Sequence, residues 1–334
     1  MIISVTERGT FRRCHQLWNY TSRNRQALTP LRVPTALNVG TMVHKAGEQW
    51  LLNPESSAAD QALSVINDTI DTAKKQYRAV IGADPHPEEL EGLLDQGSLV
   101  HIMLKNYQEY YGAPLPEGYT LVQTEQTMLL PIPGTEHTCE VCHYSELHFT
   151  NANCKGCNGQ GTTCHYLEAT LDAVLRDAYG DLWVYERKTY GKKPVLEWLQ
   201  NNDQFRAYTW VLSNAGLGPV RGVLYDGLWK RDVAPKRSLD QLFTRMSINY
   251  SNAELRSFER ELAREAIAMA RANADPLEIY RNFRWDGCWD CSPPIRTLCV
   301  MEYKEEDAEF YKQQTFTTRE AAPWLIEEDI SDTE

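Results

Sequence analysis

The sequence predicts an α/β fold in which a helical part precedes a small central group of strands. Apolar residues recur with helical spacing before residue 115 and again after residue 250. Most of the middle of the chain has instead the β-branched and aromatic composition that is typical of strands. The helical patterns cover 57–80, 87–111, 195–215 and 251–274, and the strand patterns cover 119–131, 166–177, 181–189 and 218–231.

The amino-terminal region adds two predicted helices. The segment Ser4–Glu7 fits a capping box, so we expect a helix that starts there and carries Cys14. Residues 40–52 form a second helical pattern, and this helix bears His44 and Glu48. Both helices precede every predicted strand.

Two connections organise the predicted strands. A cysteine-rich insert at 134–165 separates the pattern at 119–131 from the one at 166–177. A turn at Tyr179–Gly180 joins the latter to the pattern at 181–189, which predicts a hairpin.

Composition excludes several classes of protein. The 334 residues include 34 Lys and Arg and 46 Asp and Glu, giving a net charge of −12, and 42% of the residues are hydrophobic. These values are typical of a globular chain and exclude a mostly disordered or fibrous one. No apolar run is long enough for a membrane span, and the first residues lack a signal-peptide core, so we expect a cytoplasmic protein.

The charge is unevenly distributed along the chain. Residues 1–50 carry seven basic and two acidic side chains, and residues 187–237 carry ten and four. Binding to a phosphate backbone needs a local positive surface rather than a positive total. These segments are therefore candidates for nucleic-acid contact, although solvated faces without a partner explain them equally well.

A group of two carboxylates and a lysine on the predicted hairpin indicates a catalytic site. Asp172 lies in its first strand, and Glu186 and Lys188 lie two apart in its second strand, on one face. A divalent cation relieves the repulsion between two carboxylates, and a lysine can orient or deprotonate a water. Such a site suits metal-assisted phosphodiester hydrolysis, whereas an exposed ion pair on a hairpin is the alternative.

Further residues extend this group into an ordered set. His44 is a possible imidazole ligand, and Gln204 and Tyr208 share one helical face four residues apart. The order of His44, Asp172, Glu186-Arg187-Lys188 and Gln204-x₃-Tyr208 resembles the RecB-like branch of the PD-(D/E)XK nuclease superfamily.

This resemblance implies a mixed central sheet flanked by helices, with an amino-terminal helical elaboration. It implies that Mg²⁺ or Mn²⁺ is held by His44, Asp172, Glu186 and the carbonyl of Arg187. It also implies that Lys188 positions the attacking water, while Gln204 and Tyr208 support the site or the DNA. Asp172, Glu186, Lys188, Gln204 and Tyr208 are thus the expected catalytic set.

Four outer cysteines form a second pattern. Cys14 stands alone before the predicted core, and Cys288, Cys291 and Cys299 follow it with two and seven residues between them. Four cysteines are the usual ligands of a [4Fe–4S] cluster. The arrangement is similar to that of AddB-type recombination nucleases and CRISPR adaptation exonucleases, which implies such a cluster. Zinc in the same thiolates and buried free cysteines remain open.

The insert carries two C-x₂-C pairs of its own, Cys139/Cys142 and Cys154/Cys157. Two such pairs separated by eleven residues predict a structural zinc site, because four thiolates satisfy a tetrahedral ion. We therefore expect an inserted zinc knuckle at 134–165.

Together these patterns predict one nuclease domain over residues 1–315. Within it, residues 50–115 form the helical elaboration and 134–165 the zinc-binding insert, and residues 316–334 form an acidic tail. The expected function is a metal-dependent deoxyribonuclease, an exonuclease of phage or prokaryotic type in recombination, repair or DNA processing. A non-catalytic module that binds nucleic acid or protein is the alternative.

The expected partner is DNA that is single-stranded or has free ends. The exposed faces of aromatic residues can stack on bases, and Trp198, Phe205 and Trp210 are the best candidates. The sequence contains no P-loop motif, so a helicase or recombination protein would be a separate chain. No membrane partner is expected.

Overall fold

The computed structural model describes residues 1–31, 39–83, 86–139, 154, 157, 161–231, 238–282, 288 and 291–318. The fold is mixed α/β, with a central mixed sheet flanked by helices. The helices are α1 (Val5–Arg13), α2 (His15–Thr21), α3 (Val39–Leu52), α4 (Ala58–Ile81), α5 (Pro87–Tyr111), α6 (Leu196–Gln200), α7 (Asp203–Asn214), α8 (Asn252–Ala274), α9 (Pro293–Tyr303) and α10 (Ala308–Thr315). The strands are β1 (Ile2–Ser4), β2 (Leu28–Pro30), β3 (Thr120–Pro131), β4 (His137–Thr138), β5 (Thr162–Thr163), β6 (Tyr166–Arg176), β7 (Leu182–Tyr190), β8 (Val220–Trp229), β9 (Phe243–Asn249) and β10 (Phe316–Thr318).

The central sheet has the strand order β1-β6-β7-β8-β9, and β3 pairs with the other edge of β6. The pairs β1–β6 and β7–β8 are parallel, and the pairs β3–β6, β6–β7 and β8–β9 are antiparallel. The predicted hairpin of β6 and β7 is therefore confirmed, and it lies at the centre of the sheet.

The strands β6 and β7 separate part-way along their length. Their ladder ends at the pair Ala173↔Tyr185, while β1 pairs only with residues 166–168 of β6. Asp172 and Glu186 are the next residues of the two strands, so they flank the point of separation. This fork gives both side chains room to meet a third element.

Alternation along the strands divides the sheet into two packed faces. On one face, Val184, Val174 and Val223 belong to the main core with side chains of α7 and α8. On the other face, Tyr185, Trp183 and Leu224 pack with Leu51 of α3. The helices α3, α4 and α5 bury a further apolar cluster among themselves and against β8 and β9. The helices α3 and α5 therefore contact the sheet, α3 at β7 and α5 at β8.

The local signals at helix ends were informative. The capping box is present, because Ser4 Oγ accepts from the Glu7 N–H and the Glu7 carboxylate accepts from the Ser4 N–H. The predicted helix ends at Arg13, however, and a second helix starts after Cys14, which adopts an extended conformation. The helix predicted over 195–215 is likewise two helices, since Asn202 caps α7 through the Phe205 N–H.

Two strands of the central sheet and the start of the tail differ from the prediction. The sequence did not indicate β1 or β9, which are the two ends of the strand order. The predicted acidic tail at 316–334 starts too early, because Phe316–Thr318 pairs with Leu28–Pro30 as a two-stranded sheet. The remainder of that tail lies outside the described residues. No helix among the described residues is long and apolar enough to cross a membrane.

Candidate functional site

The fork between β6 and β7 brings Asp172 to His44 of α3. The Asp172 Oδ2 atom lies 3.0 Å from His44 Nδ1 and accepts the backbone N–H of Arg187 at 3.2 Å. Burial raises the pKa of Asp172, but the charges of His44 and Lys188 and these hydrogen bonds outweigh it, so the pKa is lowered overall. Asp172 is therefore held in its charged form.

Glu186 lies beside this pair and is fully buried. Its Oε1 atom is 2.9 Å from Lys188 Nζ, and its Oε2 atom has no hydrogen-bond partner among the described residues. Burial and the charge of Asp172 raise its pKa to about 7. A buried carboxylate oxygen without a partner is costly, so this oxygen is available to a proton donor or to a cation.

Lys188 faces both carboxylates. Burial alone would lower its pKa, but the charges of Glu186 and Asp172 outweigh burial and raise it. The ammonium group consequently stays charged at neutral pH. About a third of the side chain is exposed, which leaves it accessible to a molecule that enters the fork.

Gln204 and Tyr208 approach the same carboxylates from α7. Gln204 Nε2 donates to the Tyr208 hydroxyl at 2.7 Å, so the two side chains share a face as their spacing predicts. Burial and the charges of Glu186 and Asp172 raise the pKa of Tyr208 well above its ordinary value. The hydroxyl therefore stays protonated and can donate toward the site.

Two further carboxylates at this site were not among the predicted site residues. Glu125 of β3 is opposite Asp172 in the β3–β6 register, with a φ of 44°. Partial burial and the charges of Asp172 and Glu48 raise its pKa to about 7. Glu48 follows His44 by one helical turn, a spacing that could have indicated it. Glu125 could not be found this way, because the register of a long-range pairing is not visible in the sequence.

Arg187 was expected to contribute only its carbonyl group, yet its side chain is 3% exposed and has a defined role. Its Nη2 atom donates to the Tyr185 hydroxyl at 2.7 Å, and its Nε atom lies 3.7 Å from Asp226 Oδ2. Asp226 is fully buried and also accepts from Tyr107 of α5, from Tyr185 at 2.6 Å and from Arg245 at 3.1 Å. This network joins α5, β7, β8 and β9 directly behind the fork.

A close contact places α3 on this network. Gly47 packs on the Arg187 guanidinium so tightly that a Cβ atom at residue 47 would lie 1.7 Å from Nη1. His44 is three residues earlier in the same helix. The absence of a side chain at Gly47 thus lets α3 approach the sheet and bring His44 to Asp172.

The inner cysteines form a separate group. Cys139, Cys154 and Cys157 are buried, and their sulfur atoms lie within 4.8 Å of one another, so they could bind a metal ion such as zinc. The sulfur atoms of Cys139 and Cys154 are 3.8 Å apart, and Cys157 Sγ accepts the N–H of Gly161 at 3.1 Å. The fourth predicted ligand, Cys142, lies outside the described residues.

The outer cysteines come together from the two ends of the fold. Cys14, Cys291 and Cys299 pack against one apolar cluster. Burial raises the pKa of Cys291 to about 11, and the neighbouring thiols of Cys14, Cys288 and Cys299 contribute in the same direction. Two of the sulfurs accept hydrogen bonds, Cys299 from Arg281 Nε at 3.3 Å and Cys14 from a backbone N–H at 3.5 Å.

The predicted stacking residues differ in their access to solvent. Phe205 and Trp210 are 1% and 2% exposed and belong to the main core, so the prediction was wrong for both. Trp198 is 59% exposed on α6. The helical periodicity of α7 indicates an apolar stripe, and burial of that stripe explains the first two residues.

Comparison with known proteins does not assign this chain to a family. No protein-family model matches this chain, and no curated protein is detectably similar to it in sequence.

Proposed function

We propose that this chain is a metal-dependent deoxyribonuclease with a PD-(D/E)XK core, and that it acts as an exonuclease. The observation that carries the proposal is the meeting of His44, Asp172, Glu186 and Lys188 at the fork, around a buried Glu186 oxygen without a partner. These residues come from α3, β6 and β7, so three separate elements converge on one point. The resemblance in motif order supports the same reaction.

The donor set fits Mg²⁺ or Mn²⁺. Burial first, and then the charge of nearby Asp172, raise the pKa of Glu186, so the two carboxylates repel each other. Oxygen ligands suit these hard cations, and an imidazole is also acceptable to Mn²⁺. His44, Asp172, Glu186 and the carbonyl of Arg187 would hold the ion. When bound, the ion would polarise the phosphate and lower the pKa of a water.

The protein groups then have separate roles. Lys188 donates to the attacking water and offsets negative charge on the phosphate, since the charges of Glu186 and Asp172 favour its charged form. The water oxygen bonds to phosphorus while the water gives a proton to solvent. The bond between phosphorus and the leaving sugar oxygen breaks, and that oxygen takes up a proton from solvent. Tyr208, held by Gln204, keeps a proton to donate toward the carboxylates or the phosphate. Arg187 and Asp226 keep the strand in place.

The cysteine sites support two structural cofactors. Four sulfurs at about 2.3 Å from a tetrahedral zinc lie about 3.8 Å apart. The 3.8 Å separation of Cys139 and Cys154 agrees with this geometry, and Cys142 would supply the fourth thiolate. The outer four thiols would hold a [4Fe–4S] cluster, because they come from both ends of the fold and two of them already accept from N–H donors. The cluster would fasten α1 and α9 together.

The substrate in this proposal is DNA with a free or single-stranded end, in recombination, repair or phage DNA processing. The basic segment 187–237 begins within β7, directly after Glu186, which supports contact with a phosphate backbone. Unwinding would come from a separate helicase or recombination protein. The reaction would take place in the cytoplasm of a bacterial or phage-infected cell.

The test is degradation of end-labelled DNA with Mg²⁺ or Mn²⁺ by protein that has been purified without oxygen. We expect the wild type to degrade the DNA and Lys188→Ala to lose activity by at least about a hundredfold. Lys105→Ala, on the exposed surface of α5, serves as the matched control and should retain full activity. Labels at each end in turn give the polarity.

A second measurement separates the site from a contaminant. Titration with Mn²⁺ should show tight binding to the wild type and to Lys105→Ala, and weakened binding to Asp172→Asn. Equal cleavage by the wild type and Lys188→Ala contradicts the proposed site. Failure of all folded variants to cleave, together with Mn²⁺ affinity that does not depend on Asp172, refutes the nuclease and favours a binding module.

A further inference from the structure

The carboxyl ends of β7 and β8 carry a basic and aromatic surface. The two strands are parallel, and Tyr190 pairs with Trp229 at their ends, so both strands end at the same edge of the sheet. Lys192 and Lys193 follow β7, and Arg231 follows β8. We define this basic–aromatic edge as Lys192, Lys193, Trp198, Trp229 and Arg231.

Each tryptophan of the basic–aromatic edge lies beside a cation. The Lys192 ammonium is 5.8 Å from the centre of the Trp198 ring, and the Arg231 guanidinium is 4.7 Å from that of Trp229. Trp229 Nε1 donates to the Gly191 carbonyl at 2.8 Å, which fixes the loop that carries both lysines. The edge is thus an ordered part of the fold.

The edge also borders a shallow depression that is open to solvent. Its volume is about 420 Å³, and it is lined by Lys193, Trp229, Asp240 and Gln241, so an indole and a cation form two of its walls. Trp198, by contrast, presents an open ring face with 59% exposure.

The edge adjoins the candidate site along the chain. Lys188 is two residues before the end of β7, and Lys192 is four residues after Lys188. A span of four residues covers at most about 14 Å. Leu199, next to Trp198, packs in the core that covers the Glu186 face of the sheet. A DNA strand with a phosphate bound at Lys188 would therefore reach Lys192 and Trp198 within a few nucleotides.

We propose that the basic–aromatic edge binds a single-stranded stretch of the DNA whose phosphate enters the fork. Lysine and arginine attract the backbone, and the open face of Trp198 stacks on a base. Bases in a duplex present no free ring face to an indole, so this chemistry selects unpaired strands. The inference rests on the proposed nuclease and names the form of its substrate.

The experiment measures binding of a short fluorescein-labelled oligodeoxythymidylate by anisotropy, with no divalent ion added. We expect Trp198→Ala to weaken binding by roughly 5- to 100-fold and Trp198→Phe to restore most of it. Lys192→Ala should reduce the slope of log affinity against log salt concentration by about one, since one cation fewer contacts a phosphate. A blunt duplex should bind with little dependence on Trp198.

The matched control is Tyr179→Ala. Tyr179 is 90% exposed in the turn before β7, at the opposite end of the same strand, so its removal should leave binding unchanged. Circular dichroism verifies that each variant is folded, which is expected because every substituted side chain is exposed.

The outcomes separate this inference from the proposed function. If Trp198→Ala binds the single strand as tightly as the wild type, the basic–aromatic edge is refuted, even when Lys188 proves essential for cleavage. If binding depends on Trp198 but the wild type does not cleave, the edge stands and the nuclease fails. Equal weakening by Tyr179→Ala would show a nonspecific aromatic effect and overturn the inference.

Discussion

Substitution of Gly47 by alanine tests whether a buried arginine sets the position of α3. The new Cβ atom would lie 1.7 Å from Arg187 Nη1, 2.9 Å from Cζ and 3.3 Å from Cδ. The guanidinium cannot easily move away, because it donates to Tyr185 and lies 5.2 Å from the ring centre of Tyr107. The helix backbone or the arginine must therefore shift.

The expected cost follows from competing effects. Overpacking of a core typically costs about 1–3 kcal/mol, and displacement of the guanidinium from Asp226 would add about 2 kcal/mol because it weakens a buried ion pair. Alanine gains about 1 kcal/mol over glycine in a helix. We therefore expect Gly47→Ala to lower the free energy of unfolding by about 2–4 kcal/mol and Tm by several degrees.

The assay is urea unfolding followed by circular dichroism and tryptophan fluorescence. Gly92→Ala is the matched control, since Gly92 is also in a helix but a Cβ atom there has nothing within 4 Å. It should stabilise the protein by about 0.5–1 kcal/mol. In the Arg187→Met background, Gly47→Ala should cost much less, because the clash is gone. A Gly47→Ala protein as stable as Gly92→Ala would refute the reasoning.

Two other predictions concern the metal content of the cysteine sites and the pKa of the buried His165. Protein purified without oxygen should contain about four iron and one zinc per chain, and elemental analysis should show that Cys154→Ser loses only zinc and Cys291→Ser only iron; loss of both metals from either variant would contradict two independent sites. Burial, the amino-terminal charge and His137 lower the pKa of His165 to about 4 from 6.5. As the pH falls from about 6.5 to 4, the unfolded chain therefore binds a proton that the folded protein does not, and the free energy of unfolding decreases. This decrease should be smaller in His165→Asn, as measured by urea unfolding at several pH values.

Short-range signals in the sequence were sufficient for much of the fold. The capping box at Ser4 and the turn between β6 and β7 depend on residues a few positions apart, and both are present. The helix break at Asn202 was missed although its cause is local, because the apolar spacing on both sides is continuous. A capping residue within a periodic pattern therefore deserves the same weight as one at its start.

Long-range pairing could not be predicted in this way. The strand β1 has three residues, and its partner, Tyr166–Glu168, is far away in the sequence. The strand β9 lacks clear alternation, because Arg245 projects toward the buried Asp226 rather than toward solvent. A charged residue at a strand position predicts exposure, and here the opposite charge that overrides this prediction comes from another strand.

In the candidate site, too, contacts within one helix or strand could be predicted from the sequence, whereas contacts between elements could not. The pair Glu186–Lys188 and the pair Gln204–Tyr208 follow from spacing alone, and each forms the contact that its spacing indicates. Their meeting with His44 depends on Gly47, where the missing side chain admits the Arg187 guanidinium.

Arg187 is the middle residue of Glu-x-Lys, a position at which motif order alone requires no particular side chain. In this fold it is joined to Asp226 and Tyr185 behind the site, while its backbone N–H binds Asp172 in front. Substitution of this residue should therefore disturb stability and the geometry of the carboxylates together. The position that the motif leaves open is the one that joins the helices α3 and α5 to the candidate site.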